Sequence, residues 1–341
     1  MSKYSKPRAD SFVVGVEKRL APLQPRRGKT AQQRRRDAEA FDVVMTTELG
    51  IAPVDVATDE HTIPVDGYPD ARLRVYWPTP ERPEPSSAAG LPVLVYFFGG
   101  GFEIAGIDWV WWDAAFRERA RDAGIILVAG EYSHAPEVKY PAQPEQCWSI
   151  FEWAASHARE LGGDPERLAL GGASAGGNLA AATALMNRDR GNRPVRLQLL
   201  EMPLLDMTAE HLDLDAQSSL VPKPLFRRLA RMIVTQYLGS AKSTRHEAYA
   251  SPLLAPTLVG MPPAVIYTAE LDALRGDGEA YARALSDAGV PVTCLRLIGQ
   301  NHGSGSYRGH VPAADHLHRD IVATLRTLHE DAVAYTGAVQ R

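Results

Sequence analysis

The chain of 341 residues is 45% hydrophobic and 23% charged, with 25 prolines, 28 glycines and a formal net charge of −4. That profile excludes a disordered or fibrous chain, and the length suits one large α/β domain with insertions or two ordinary domains. The mild acidity gives no general attraction to nucleic acid or membranes, and no run of 18 apolar residues is present to span a bilayer.

The N-terminal "MSKYSKPRADSFVV" lacks an apolar segment of signal-peptide length, so a cytoplasmic location is expected. Cys147 and Cys294 each lie in an apolar context and are expected to be buried free thiols, not a disulfide or a metal site. The basic run Arg26, Arg27, Lys29, Arg34, Arg35, Arg36 is followed by Asp37 and Glu39 in a helical pattern, which predicts a solvated helix face.

In chain order, "TAQQRRRDAEAFDVVMTTEL" has helical periodicity. "HTIPV" and "ARLRVYWP" read as a strand hairpin turning at "DGYPD", followed by a surface loop, "ERPEPSSAAG". Then apolar β-rich runs ("LPVLVYFF", "IILVAGEY", "LALGG", "VRLQLLEMP") alternate with helical segments ("WWDAAFRERARDAG", "PEQCWSIFEWAASHARELGG", "GGNLAAATALMNRDR"). The alternation predicts a mostly parallel sheet with helices on both faces, and the continuous apolar runs predict strands buried on both sides. Residues 205–250 interrupt it with helical but no strand periodicity, after which "PPAVIYTAELD", "GDGEAYARALSDAG", "VTCLRLIG" and a closing helix from Pro312 towards Tyr335 resume it. The expected organisation is an N-terminal helical segment (1–55) and an α/β core (56–341) with 205–250 inserted, the two helical additions packing as a lid.

Gly172-Ala173-Ser174-Ala175-Gly176 is a G-x-S-x-G placed between a strand and a helix. A serine at the tip of such a turn has a strained backbone, and only small neighbours let helix and strand approach. A serine nucleophile needs a base, and the base an orienting acid, at the carboxyl ends of later strands. Asp272 ends "AVIYTAELD" and His302 follows "TCLRLIGQNHG"; the rivals are Glu270 and Asp277 for the acid, and His310, His316 and His318 for the base. "VYFFGGGF" offers backbone N–H groups from Gly99, Gly100 and Gly101 to an oxyanion, and Ala175 offers another.

These segments resemble the hormone-sensitive-lipase-like (bacterial family IV) carboxylesterases of the α/β-hydrolase fold, from about residue 60 to the C-terminus. The resemblance rests on "LPVLVYFFGGGF", "GEYSHAPEVKYPAQPEQ", "GASAGGNLA", "TAELDALRGDGEAYARAL" and the 30-residue gap from Asp272 to His302. It implies a mostly parallel sheet flanked by helices under a helical cap, with Ser174 as nucleophile, His302 as base and Asp272 as its acid. It also implies an oxyanion hole of Gly100, Gly101 and Ala175, and no metal or organic cofactor. Four polar positions of the family pattern differ: Phe98 replaces the loop histidine, Ala173 the acid before the nucleophile, Ser133 an arginine, and Gln146 an acid.

The function this implies is two-step hydrolysis of small to medium, apolar or aromatic esters. The alternatives are the same triad turned to acyl transfer, elimination or cyclisation, and a non-catalytic ligand-binding protein. Phe98, Phe102, Trp109 and Tyr132 are expected to line the pocket, with Trp111 and Trp112 either joining them or packing a helix against the lid, and Glu103 at the surface. The expected partner is a small-molecule ester, with a homodimer as the possible assembly and neither nucleic acid nor membrane involved.

Overall fold

The computed structural model describes residues 9–20, 30–83, 90–216 and 223–331. Eight strands form one sheet: β1 (Thr58–Val65), β2 (Tyr68–Tyr76), β3 (Leu91–Phe97), β4 (Ile126–Glu131), β5 (Gly163–Ala173), β6 (Val195–Glu201), β7 (Ala264–Ala269) and β8 (Val292–Leu297). Their spatial order is β1-β2-β4-β3-β5-β6-β7-β8, antiparallel at β1–β2 and β2–β4 and parallel from β4 onwards. The hairpin turn is tighter than "DGYPD" suggests. Val65 pairs with Tyr68, so only Asp66 and Gly67 turn, and Pro69 and Asp70 already belong to β2.

The helices are α1 (Ser11–Leu20), α2 (Ala31–Glu48), α3 (Val110–Ala123), α4 (Ala142–His157), α5 (Ala175–Met186), α6 (Lys223–Leu238), α7 (Arg275–Asp287) and α8 (Pro312–Arg326). All twelve residues of α5 are buried, and its small side chains let it lie close under the sheet centre. Thr30 starts α2 with a reciprocal capping box to Gln33. The last helix stops at Arg326, with a 3₁₀ turn over Thr327–His329, short of the expected Tyr335, which lies outside the described residues.

Strands β3, β4 and the second half of β5 are enclosed on both faces, as continuous apolar runs predict. The edge strand β8 differs, with Thr293, Cys294, Leu295 and Arg296 all exposed. An edge strand has one neighbour and less helical cover, so Cys147 is a buried thiol but Cys294 is an exposed one.

The helical additions sit over the carboxyl edge of the sheet. Val13 and Val16 of α1, with Leu49, form a small apolar cluster with Tyr307, Val311 and Ala314, which follow His302 in the chain. The basic run is only partly a solvated face. Arg36 is exposed, but Arg34 pairs with Glu103 and Arg35 with Glu137, tying α2 to the loops after β3 and β4; Arg26, Arg27 and Lys29 lie outside the described residues.

Candidate active site

Ser174 occupies the tip of the turn between β5 and α5 with φ 54° and ψ −117°, a left-handed-side conformation that is costly for a residue with a Cβ. It is held there because its N–H donates to Glu201 O at 2.9 Å and its carbonyl accepts from Asn178 N at 3.1 Å. A Cβ on Gly176 would lie 2.1 Å from Phe97 O, and one on Gly172 would lie 2.2 Å from Gly176 O. Strand and helix therefore approach closely only because these two positions lack side chains.

His302 Nε2 lies 3.0 Å from Ser174 Oγ, and His302 Nδ1 lies 2.7 Å from Asp272 Oδ2. Ser174 and His302, 128 positions apart, follow β5 and β8 at the same edge of the sheet, while Asp272 and His302 follow the adjacent strands β7 and β8. Glu270 N donates to Leu297 O at 3.0 Å and Leu271 N to Gln300 O at 2.8 Å, extending the β7–β8 pairing so that the loops carrying Asp272 and His302 leave side by side. Leu274 N donates to Asp272 Oδ1 at 3.0 Å, which fixes the carboxylate. Desolvation lowers the His302 pKa, but the charge of Asp272 and its hydrogen bond outweigh that and leave it above the ordinary 6.5.

The rivals are engaged elsewhere. Glu270 accepts from Gly299 N, and Asp277 accepts from Leu205 N and Asp206 N, its pKa pushed up to about 7 by burial. His310 bonds Leu49 O and stacks on Phe12, His316 faces Asp320 at 3.8 Å, and His318 bonds Asp122.

Gly99, Gly100 and Gly101 follow β3 and lie against the serine; a Cβ on Gly99 would be 3.2 Å from Ser174 Cβ. Among the described residues the N–H groups of Gly100 and Gly101 have no hydrogen-bond acceptor, and that of Ala175 opens α5, where no intrahelical acceptor exists. The loop doubles back tightly, since Glu103 N and Ile104 N both bond Gly100 O, and Phe102 and Ala105 take φ of 62° and 75°.

A cavity of about 860 Å³ opens on Ser174, Asp272 and His302. Its wall is mainly apolar, with Trp111, Trp112, Leu204, Phe226, Ile233 and Leu317 among the lining residues. Four residues expected in that wall are not in it: Phe98, Phe102, Trp109 and Tyr132. Phe98, Phe102 and Tyr132 are buried behind the loop, where Phe98 stacks on Tyr132 at 4.4 Å and Phe102 on Tyr237 of α6 at 3.7 Å, while Trp109 caps the start of α3. Their aromatic surface fastens the glycine loop from the side away from the cavity. Glu103 is likewise no surface residue, being 8% exposed and paired with Arg34.

Three of the four positions that depart from the family pattern, Phe98, Ser133 and Gln146, have their own partners. Gln146 accepts from Ser133 N at 2.8 Å and donates to Ser133 Oγ at 2.8 Å and Pro69 O at 2.9 Å. Tyr132 Oη donates to Phe98 O at 2.9 Å. The cavity-lining residues of α6 and α8 were missed because helical periodicity marks a buried stripe without saying whether it meets a core or a void.

Residues 94–305 match a family described as alpha/beta hydrolase fold. Carboxylesterase NlhH of Mycobacterium tuberculosis is 37% identical over 280 residues, covering 81% of this chain and 84% of its own. An arylesterase of Saccharolobus solfataricus is 34% identical over 215 residues, covering 62% of this chain and 67% of its own. Among solved structures, a hyperthermophilic esterase from the archaeon Pyrobaculum calidifontis superposes with a TM-score of 0.82 at 30% identity, covering 94% of this chain and 99% of that one. Among the described residues no helix is long and apolar enough to cross a membrane. The chain belongs to the alpha/beta hydrolase fold family, among the hormone-sensitive-lipase-like esterases its motifs resemble.

Proposed function

We propose that the protein is a serine carboxylesterase that cleaves small to medium esters through an acyl-enzyme on Ser174. The observation that carries this reading is the hydrogen-bonded series Ser174 Oγ, His302 Nε2, His302 Nδ1, Asp272 Oδ2 opening on a cavity. The names of its relatives, carboxylesterase and arylesterase, support the same reaction class.

In the first step His302 accepts the Ser174 proton as the oxygen attacks the ester carbonyl. Gly100, Gly101 and Ala175 donate backbone N–H groups to the oxyanion, and the alcohol leaves with the proton from His302. Water then repeats the sequence on the acyl-enzyme. Asp272 keeps Nδ1 protonated throughout, so that Nε2 faces the serine as the base. The apolar wall suits an alkyl or aryl substituent, and the cavity volume falls within the range of small-molecule sites.

Replacing Ser174 by Ala is expected to lower kcat on 4-nitrophenyl butyrate by on the order of 10⁴-fold or more while the protein stays folded. Near-normal turnover by that variant would remove the serine from the mechanism.

A further inference from the structure

The outer face of α6 carries charge that the rest of the fold does not answer. The inner face is engaged: Phe226, Ala230, Ile233 and Val234 line the catalytic cavity, and Tyr237 stacks on Phe102. The outer face bears Arg227, Arg228 and Arg231, all exposed, and α6 contains no acid.

The helix α3 shows how such residues are matched elsewhere. Arg117 pairs with Asp113, Arg119 with Glu201 and Arg121 with Asp122. On α6 only Lys223 is matched, by Asp215. Among the described residues Arg227, Arg228 and Arg231 have no carboxylate partner and no side-chain hydrogen bond.

Two of the three face a concavity. Arg228 and Arg231 stand three positions apart on one helical face and line a second groove of about 440 Å³, which shares no lining residue with the catalytic cavity. Lys139, exposed on the loop between β4 and α4, lines the same groove and is likewise without a carboxylate partner among the described residues. Glu137, the acid on that loop, is taken by Arg35. The lining thus holds three cations and no acid, in a chain whose net charge is −4. It also holds Pro136 and Met232, an apolar side chain left 42% exposed.

Like charges gathered around a groove repel one another, and the protein on either side weakens the screening by water. A bound anion relieves that cost. Two guanidinium forks and an ammonium offer more donors than one carboxylate can use, since it has two oxygens and a single charge. A phosphate monoester brings three terminal oxygens and about two charges at neutral pH. Pro136 and Met232 give its organic group an apolar surface to lie on. We propose that the groove is a binding site for a soluble organic phosphate monoester, held by Lys139, Arg228 and Arg231. The site is separate from Ser174 and does not depend on the ester chemistry proposed there.

Isothermal titration of the full chain at low ionic strength compares phenyl phosphate with benzoate, which keeps the ring but carries one charge and two oxygens. Phenyl phosphate is expected to bind about tenfold more tightly or better, the scale of one added charge-assisted hydrogen bond. Arg228→Gln combined with Arg231→Gln keeps good helix formers on an exposed face and is expected to weaken phenyl phosphate by about tenfold or more. Lys139→Gln tests the other wall with α6 untouched and is expected to weaken it in the same direction. Arg227→Gln, off the groove, is expected to change the affinity by less than about twofold. Equal affinities for the two anions, or a phenyl phosphate affinity that survives both the double variant and Lys139→Gln, overturns the proposal. Sedimentation with phosphatidylcholine vesicles, with and without phosphatidic acid, tests a lipid source of the same group. Adsorption to the phosphatidic acid vesicles with no binding of phenyl phosphate would make α6 a face for a membrane surface and overturn the soluble site.

Discussion

The loops that carry Asp272 and His302 are fastened by their immediate neighbours, whereas the loop that carries Gly100 and Gly101 is fastened by helices remote in the chain. On the first side, β7 and β8 run in register and their pairing continues past the strand ends through Glu270 and Leu271. On the second, Arg34 Nε of α2 donates to Glu103 Oε1 at 2.8 Å, Arg35 Nη1 donates to Glu103 O at 3.2 Å, and Tyr237 of α6 stacks on Phe102. The Gln236 amide, oriented to satisfy both charges, bridges Glu103 and Arg34. One side of the site therefore inherits its geometry from the sheet, and the other from the helical additions above it. Damage to the two sides should read out differently.

The largest effect is expected on the sheet-held side. Asp272→Asn preserves the volume but presents an amide to Nδ1, so the imidazole loses the tautomer that aims a lone pair at Ser174; kcat should fall on the order of 10⁴-fold. Thermal unfolding in parallel would show whether the fold survives, and a loss under tenfold would mean that another group orients His302.

The pH profile sharpens the same side. In the proposed mechanism His302 must be uncharged to accept the serine proton, and Asp272 holds its pKa above 6.5, so kcat/KM should fall about tenfold per unit as pH drops below that raised value. The linked stability runs the other way. A raised folded-state pKa gives stability that is fully present below the ordinary imidazole value and is lost as pH rises through the folded one. Activity and this contribution to stability should trade places across one window, and an inflection below 6.5 in the wild type would contradict the assignment.

The difference between the two sides also explains what could be read from the sequence. Ser174, Asp272 and His302 each follow an apolar strand run, and strand ends are legible because their periodicity is local. The alternation of strands and helices likewise gave the sheet. The role of Phe98, Phe102 and Tyr132 was not legible, since an aromatic residue after a glycine loop can face a cavity or back away from it. Here Tyr237, 135 positions further on, takes the far side of Phe102. Glu103 reads as a surface residue until Arg34, 69 positions earlier, is brought against it. The exposure of β8 escaped for a similar reason: "VTCLRLIG" is apolar enough for a central strand, and only the sheet order makes it an edge.

The helix-held side gives the smallest and most specific expectation. Glu103→Ala removes the carboxylate through which α2 and α6 grip the glycine loop, while leaving every proposed catalytic atom in the chain. As proposed oxyanion donors, the N–H groups of Gly100 and Gly101 would gain their value only as charge develops on the substrate oxygen, so loosening them should lower kcat and kcat/KM together, by about tenfold, with little change in KM. Glu103→Gln, which keeps an acceptor for Arg34, should recover most of the loss. The Asp272-dependent pH inflection should stay in place in both variants, because the grip on the loop does not touch the imidazole. A rise in KM alone would instead mean that Glu103 shapes the cavity and that the oxyanion donors are held by Phe102 and Tyr132 without it.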